Sequence, residues 1–322
     1  MRILITGGAG FIGSVATNYF IERNFQVNVI DNLSTGTRKF IPEKANFFEG
    51  DIRNKTQLMQ SAKGCDAILH LAGLAIVPES FERKTEYFDV NTEGTKNLIK
   101  VVEELNINSI IFSSTCAVYG ESYKVPISEE FEKLPCNPYG ESKLLAEDSL
   151  LTWQKSGLNR SLTILRFFNV SGAYDSKRFG LIGENRIIET HLIPNLVKNR
   201  GIGFKLTGKN FQTKDGTAVR DYIHVEDLCS AFLISMKKNL DSKSCMIYNL
   251  GSQRGFSVLQ VIDSFEKILG NKIKYEILGK RRGDPDYLVS DIKRAISYLK
   301  WMPKYNLDDI IKSTHNFFNE IT

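Results

Sequence analysis

The 322-residue chain is poor in the residues that announce metal, disulfide or membrane chemistry. Its four histidines, His70, His191, His224 and His315, stand at no ligand spacing, so they read as structural and no metal site is expected. The five cysteines are an odd number with no CxxC and no framework spacing. That excludes a disulfide scaffold or zinc ribbon and reads as free thiols in a reducing compartment. No stretch approaches the roughly 18 consecutive apolar residues of a membrane span. A strand pattern begins at Arg2 without a basic-then-apolar leader, and the expectation is a cytoplasmic protein with no membrane partner. The net charge of +5 is mild and its lysines and arginines are scattered, which argues against a nucleic-acid surface. Internal repeats, low-complexity tracts and flexible linkers are also missing.

What is present is ordinary globular composition, 42% hydrophobic and 25% charged, enough for a large core. Apolar runs of strand length recur at Ile3–Ile5, Val27–Ile30, Ala67–Leu69, Ile110–Phe112 and Leu162–Leu165. Between them lie helical patterns, including Phe11–Arg23, Asp89–Leu105 and Tyr139–Gln154. Strands apolar on both faces and separated by helices imply an α/β fold with a doubly wound parallel sheet. After Asn169 the pattern loosens, then tightens at Val225–Met236 and Ile247–Leu250. The expected division is a first domain over 1–168 with returning segments at 221–252, and a smaller α+β substrate-binding domain from 169–220 and 253–322.

Directly after the first strand stands GGAGFIGS, in which Gly7, Gly10 and Gly13 fit GxxGxxG, and Gly8, Gly10 and Gly13 fit GxGxxG. Such glycines let the chain turn tightly and bring backbone N–H groups and a helix N-terminus to a pyrophosphate. A turn serving only packing would look similar. Asp31, closing the second strand, weighs against that, since a carboxylate there accepts hydrogen bonds from an adenosine ribose. The sheet is therefore read as a Rossmann sheet. Asp31 repels a 2′-phosphate and favours NAD over NADP, with Arg38 and Lys39 nearby as the opposing signal. Asp51, after the third strand, either reaches an adenine or caps a helix.

In PYGESK, Tyr139 and Lys143 lie four residues apart on one helix face. An ammonium beside a phenol lowers the phenol's pKa and makes it a usable base. The hydroxyls of SSTCAVYG, at Ser113, Ser114 and Thr115, end a sheet strand where open α/β folds bind ligands, and one of them can hold a substrate hydroxyl. Together these residues suit hydride-transfer chemistry.

The chain resembles the extended short-chain dehydrogenase/reductases, and within them the UDP-galactose (UDP-glucose) 4-epimerases. The motifs that carry this run nearly its whole length: GGAGFIGS, DNLSTG, HLAGLAIVPES, NTEGT, FSSTCAVYG, NPYGESK, LRFFNVSGA, THLIP, DGTAVRDYIHVEDL, NLGS and RRGDP. Related dehydratases and decarboxylases carry an acidic residue near the positions of Cys116 and Ala117; here there is none. The resemblance implies an NAD-dependent epimerase acting through a transient 4-keto sugar. Tyr139 would be the base, Thr115 would hydrogen-bond the C4 oxygen, and Lys143 would hold the nicotinamide ribose and polarise Tyr139. It implies cofactor contacts at Gly7, Gly10, Phe11, Ile12, Gly13, Asp31, Asn32, Ser34, Gly36, Asp51, Ile52, Leu71, Ala72, Gly73, Lys84, Asn91, Ser113 and Phe168, with Tyr139 and Lys143. For the UDP-sugar it implies Ser114, Asn169, His191, Leu192, Thr207, Arg220, Tyr222, Arg281, Asp284 and Leu288 beside Thr115. Arg220 and Arg281 would take the diphosphate and Asp284 the uridine ribose. Thr207 stands where relatives often have an aromatic residue for uracil, leaving Phe204 or Phe211 as substitutes.

Leu288 falls at a position gating the sugar's C2 substituent, and its intermediate size implies use of both hexoses and N-acetylhexosamines. The resemblance also implies a homodimer through the helices 89–105 and 139–154. Other readings stay open: a UDP-uronate or UDP-pentose 4-epimerase, a net dehydrogenase, or a catalytically silent NAD-binding regulator. The intact Thr115, Tyr139 and Lys143 argue against the last, because a binding module has no use for an activated phenol.

Overall fold

The computed structural model describes residues 1–121, 125–186, 189–200 and 202–321. Six strands, β1 (Arg2–Thr6), β2 (Gln26–Asp31), β3 (Asn46–Glu49), β4 (Ala67–His70), β5 (Ser109–Thr115) and β6 (Ser161–Phe167), alternate with six helices. The helices are α1 (Phe11–Ile21), α2 (Lys55–Ala62), α3 (Val77–Glu82), α4 (Lys84–Phe88), α5 (Gly94–Glu104) and α6 (Pro138–Lys155). There follow β7 (Asn169–Ser171), β8 (Ala173–Ser176), β9 (Gly180–Gly183), α7 (Leu192–Lys198), β10 (Phe204–Thr207), β11 (Val219–His224) and α8 (Val225–Asp241). The chain closes with β12 (Cys245–Leu250), β13 (Gly255–Ser257), α9 (Val258–Leu269), β14 (Tyr275–Leu278), β15 (Tyr287–Leu288) and α10 (Leu307–Ile321).

Seven strands form one parallel sheet in the order β12-β6-β5-β4-β1-β2-β3. The fold is thus α/β with a doubly wound Rossmann-type sheet. Alternation within the strands explains why they read as unbroken apolar runs. Ile3 and Ile5 pack into one core with α1 and α8, whereas Leu4, Ile110 and Phe112 pack into another with α2, α5 and α6. Both faces are covered, so neither needs polar residues. The strand order reverses between β1 and β4, and the crevice beyond their carboxyl ends is where such sheets take ligands.

A third core, built around Ile193, Leu196, Phe204, Val261, Phe265, Ile310 and Phe317, joins α7, α9 and α10 with β10. A small sheet, in which β11 pairs with β7, β13 and β15, lies between the two parts. The return to the large sheet is made by α8 and β12, while β11 at the start of that segment belongs to the small sheet. Among the described residues, no helix is long and apolar enough to cross a membrane.

Candidate active site

A cleft of ≈ 910 Å³ runs along the carboxyl ends of β1, β2, β4 and β5 and is closed on its far side by residues of β11, α7 and the loop before β15. Its sheet-side wall starts at the glycine turn. Gly7 has φ of +68°, and a Cβ there would come within 2.7 Å of the Ala72 backbone. A Cβ on Gly13 would lie 2.1 Å from the Gly7 carbonyl oxygen, so only glycine lets α1 start this close to β1. The Asp31 carboxylate accepts from the backbone N–H of Ala9 at 2.9 Å and of Leu33 at 2.8 Å, bracing the turn with one oxygen each. Its pKa is raised by burial, against those amide hydrogen bonds. A bare cradle of backbone N–H groups with an acid at its side fits a dinucleotide. Phe11, Ile12, Asn32, Ser34, Gly36, Ile52, Leu71, Ala72, Gly73, Ser113 and Phe168 also line the cleft.

Asp51 lines it too, but does not cap a helix. Asn54 caps α2, and Asp51 accepts from Asn32 at 2.9 Å and from Arg53 at 2.8 and 3.0 Å; the Arg53 guanidinium holds its carboxyl down to about 2.

At the centre of the cleft, the first turn of α6 meets the end of β5. Asn137 caps α6, its side chain accepting from Gly140 N–H at 2.9 Å, and Pro138 begins the helix. Tyr139 is thereby fixed in the first turn. Gly140 permits the approach, since a Cβ there would stand 2.5 Å from the Ala117 carbonyl oxygen. Thr115 accepts from Ala117 N–H at 3.1 Å and keeps its own proton to donate, in the free protein toward the Tyr139 phenol. Burial pushes the Tyr139 phenol up to about 12, with the Thr115 hydroxyl drawing it back. Lys143 Nζ lies 4.2 Å from the centre of the Phe112 ring, and burial drives this ammonium down to about 7 against the pull of Glu147. Burial dominates both groups, and the phenol moves up instead of down.

Other sequence expectations are corrected by packing. Ser114 lines the cleft as Ser113 and Thr115 do, but commits its hydroxyl to Glu147, 2.5 Å away, because successive β5 side chains face opposite sides. Asn91 is buried behind the cleft, bonding Leu74 N–H at 2.8 Å, the Leu74 carbonyl at 3.0 Å and Ser142 Oγ at 2.9 Å, so it clamps the loop after β4. Lys84 is exposed and paired with Glu141; its neighbour Arg83 lines the cleft. Thr207 sits on β10 against Leu278, and neither it, Phe204 nor Phe211 reaches the cleft wall. That side is walled by Arg281, Arg282, Gly283, Asp284 and Pro285.

The remaining substrate-side residues do converge. Asn169, His191, Leu192, Arg220, Tyr222, Arg281, Asp284 and Leu288 all line the cleft. Strand register explains part of this, as Asn169 pairs with Tyr222 and Leu288 with Arg220. Arg220 forms an ion pair with Asp284. His191 Nδ1 lies 2.8 Å from Glu184, whose carboxylate also accepts from Arg186 at 2.8 Å. The sequence reading passed over Arg83, Arg282 and the buried pair Glu147–Arg166. A charge one residue before the end of the otherwise uncharged strand Ser161–Phe167 was the visible signal for the last.

Similarity to known proteins agrees with this geometry. The chain is 39% identical over 318 residues to the UDP-glucose 4-epimerase of Lactobacillus helveticus, covering 97% of this chain and 95% of that one. Its fold matches the UDP-glucose 4-epimerase of Bifidobacterium longum in complex with NAD+ and UDP at a TM-score of 0.92 and 32% identity, covering 99% and 98% of the two chains. The UDP-Glc/GlcNAc 4-epimerase of Campylobacter jejuni matches at 0.83 and 34% identity, covering 99% of each. Residues 3–251 match the NAD dependent epimerase/dehydratase family. With a dinucleotide cradle, a Tyr–Lys helix and an arginine-lined far wall sharing one cleft, this chain belongs to that family.

Proposed function

We propose that the protein is an NAD-dependent 4-epimerase of UDP-sugars, interconverting UDP-glucose and UDP-galactose and also their N-acetyl forms. The observation that carries this is the meeting of Thr115 and Tyr139 at the centre of a cleft that has the glycine turn on one side and Arg220, Arg281 and Asp284 on the other. Bound NAD, which the glycine turn and Asp31 would hold, would supply the acceptor for the C4 hydride and the donor that returns it. The protein does the rest. Tyr139 takes the proton from the C4 hydroxyl and returns it after the sugar has turned over. Thr115, with its oxygen already held by Ala117 N–H, donates its proton toward the C4 oxygen. Lys143, seated over the Phe112 ring, would hold the cofactor's nicotinamide ribose. Arg220 and Arg281 hold the diphosphate with planar donor forks, and Asp284 the uridine ribose, so that the sugar alone is free to rotate.

The division into a cofactor part, 1–168 with 221–252, and a substrate part, 169–220 with 253–322, belongs to the same reading. Leu288 supports the wider substrate range: it is buried in the cleft wall, packed with Cys116, Val118 and Phe168, and is too short to fill the space a tyrosine would. The Campylobacter jejuni relative, named for both sugar types, points the same way. A homodimer through the helices 89–105 and 139–154 is supported by exposed Leu145 and half-buried Leu144 and Leu151 on α6. Five free thiols are in keeping with a reducing cytoplasm.

The test is incubation with UDP-galactose, UDP-N-acetylgalactosamine and UDP-galacturonate without added cofactor, followed by separation of products. C4-inverted products from the first two are expected. Turnover of the uronate alone would replace this reading with a uronate epimerase.

A further inference from the structure

The far wall of the cleft holds a buried carboxylate that the reaction as described leaves without a task. Glu184, the residue after β9, is 3% exposed and lines the cleft together with Arg186 and His191. Both of its oxygens face His191 Nδ1, Oε1 at 2.8 Å and Oε2 at 2.9 Å, and Arg186 Nε donates to Oε1 at 2.8 Å. The segment around them is itself clamped. Glu189 accepts from the backbone N–H of Arg186 at 3.2 Å and of His191 at 3.4 Å, while Lys198 donates to the Arg186 carbonyl at 2.5 Å and Asn195 to the Glu189 carbonyl at 2.9 Å. The direction of the His191 ring is thus set in the free protein.

An ionised carboxylate only accepts, so Nδ1 carries a proton whatever the charge of the ring. Nε2, on the opposite edge, has no partner among the described residues, and the side chain is 44% exposed in the cleft wall. Glu184, Glu189 and His191 also bring ligand atoms within 4.8 Å of one another, as a small metal site would. The contacts argue against that use, because Arg186 already occupies Glu184 and a protonated Nδ1 cannot ligate. The charged groups facing the ring are Glu184, Arg186 and Glu189. On its own helix Lys198 is turned to Arg186 and Asn185, and α9 and α10 meet α7 through an apolar core around Leu196, Phe265 and Phe317. Burial disfavours the imidazolium, but Glu184 outweighs it and raises the His191 pKa above the ordinary value. In the charged form Nε2 is a donor as well.

We propose that Glu184 is a positioning residue for the substrate: anchored by Arg186, it fixes the His191 ring so that Nε2–H points into the cleft as a donor to an acceptor oxygen of the nucleotide sugar. The inference rests on the epimerase reading and deepens it at the substrate end. Such a donor is present below the midpoint of the ring and is lost as pH rises through it.

The test follows UDP binding by calorimetry and KM for UDP-galactose across pH in wild type and Glu184→Gln, with the His191 ring titrated by NMR in the free protein. Glutamine keeps an acceptor for Nδ1–H but removes the charge, so the His191 midpoint falls. Between the two midpoints the variant binds about tenfold more weakly than wild type, the scale of one charge-assisted hydrogen bond, and below both midpoints the two proteins agree. Comparing them at each pH cancels ionisation of the ligand. Weakening of both ligands assigns the acceptor oxygen to the diphosphate; weakening of UDP-galactose alone assigns it to the sugar. His191→Phe, which leaves Glu184 paired with Arg186, shows the same tenfold loss at every pH below the wild-type midpoint. A loss in Glu184→Gln that is uniform across pH, or no loss, would overturn the inference. Wild-type protein that binds neither ligand, with the His191 midpoint still moved by Glu184→Gln, would remove the UDP-sugar reading itself and the inference with it.

Discussion

Arg220 and Asp284, expected from the sequence to hold different parts of one nucleotide, hold each other in the free protein. Arg220 is also pinned to the Val219 carbonyl at 2.8 Å, so its guanidinium is preset at the cleft wall and not swinging in solvent. A phosphate arriving there meets a prepared donor and competes with one carboxylate oxygen. Arg220→Met should raise KM for UDP-galactose about 10- to 100-fold, the worth of one or two charge-assisted hydrogen bonds, with little change in bound NAD. Steady-state kinetics with cofactor content measured in parallel checks this.

In the proposed reaction Tyr139 and Thr115 act on the same substrate oxygen in different ways. Removing the base in Tyr139→Phe should cost about 10²- to 10⁴-fold in kcat. Thr115→Val removes one donor and should cost about tenfold. Equal losses in the two variants would mean that the proton is handled elsewhere.

Two glycines separate cofactor binding from chemistry. Gly13→Ala places a methyl 2.1 Å from the Gly7 carbonyl oxygen and should abolish NAD retention, read from absorbance of the denatured supernatant. Gly140→Ala pushes the first turn of α6 off the Ala117 carbonyl and so moves Tyr139 away from Thr115. NAD should stay bound while kcat falls by up to about 10²-fold, the scale of a 1 Å misplacement.

Leu288→Tyr should reduce turnover of UDP-N-acetylgalactosamine at least tenfold relative to UDP-galactose, because a phenol ring at this wall takes up the room of an N-acetyl group. Unchanged turnover of both substrates would show that the C2 substituent lies elsewhere.

Buried Lys143 and His70 shape stability with pH in different windows. Lys143 sits at about 7 in the folded cofactor-free protein against an ordinary 10.5. Between those values the unfolded chain binds the extra proton, so stability rises with pH; below about 7 the folded protein carries the full cost of a buried ammonium. Lys143→Met should therefore raise Tm near pH 6, on the order of 5 °C, with the gain shrinking toward pH 10. His70 drops to about 3 from 6.5, so the unfolded chain is protonated first and stability falls as pH falls through that window. His70→Asn should flatten the acid limb of the melting curve.

Much of this was legible in the chain because its causes are local. Unbroken apolar runs mark strands covered on both faces, the steric demands of a tight turn select Gly7 and Gly13, and a helical repeat puts Tyr139 and Lys143 on one face. Those features need no knowledge of what lies across the sheet. Whatever depends on a distant partner was decided only by the tertiary structure. Ser114 faces Glu147 because β5 is pleated against α6, and Thr207 lies off the cleft because β10 pairs with β14. Arg83 lines the cleft where Lys84 was expected, since Arg83 stands at the non-helical junction between α3 and α4, whereas Lys84 opens α4 and pairs with Glu141 at the surface. The direction in which Tyr139 titrates is the clearest case: spacing alone promises a phenol lowered by its lysine, but desolvation depends on everything packed around both groups, and in the folded cleft it is the larger effect.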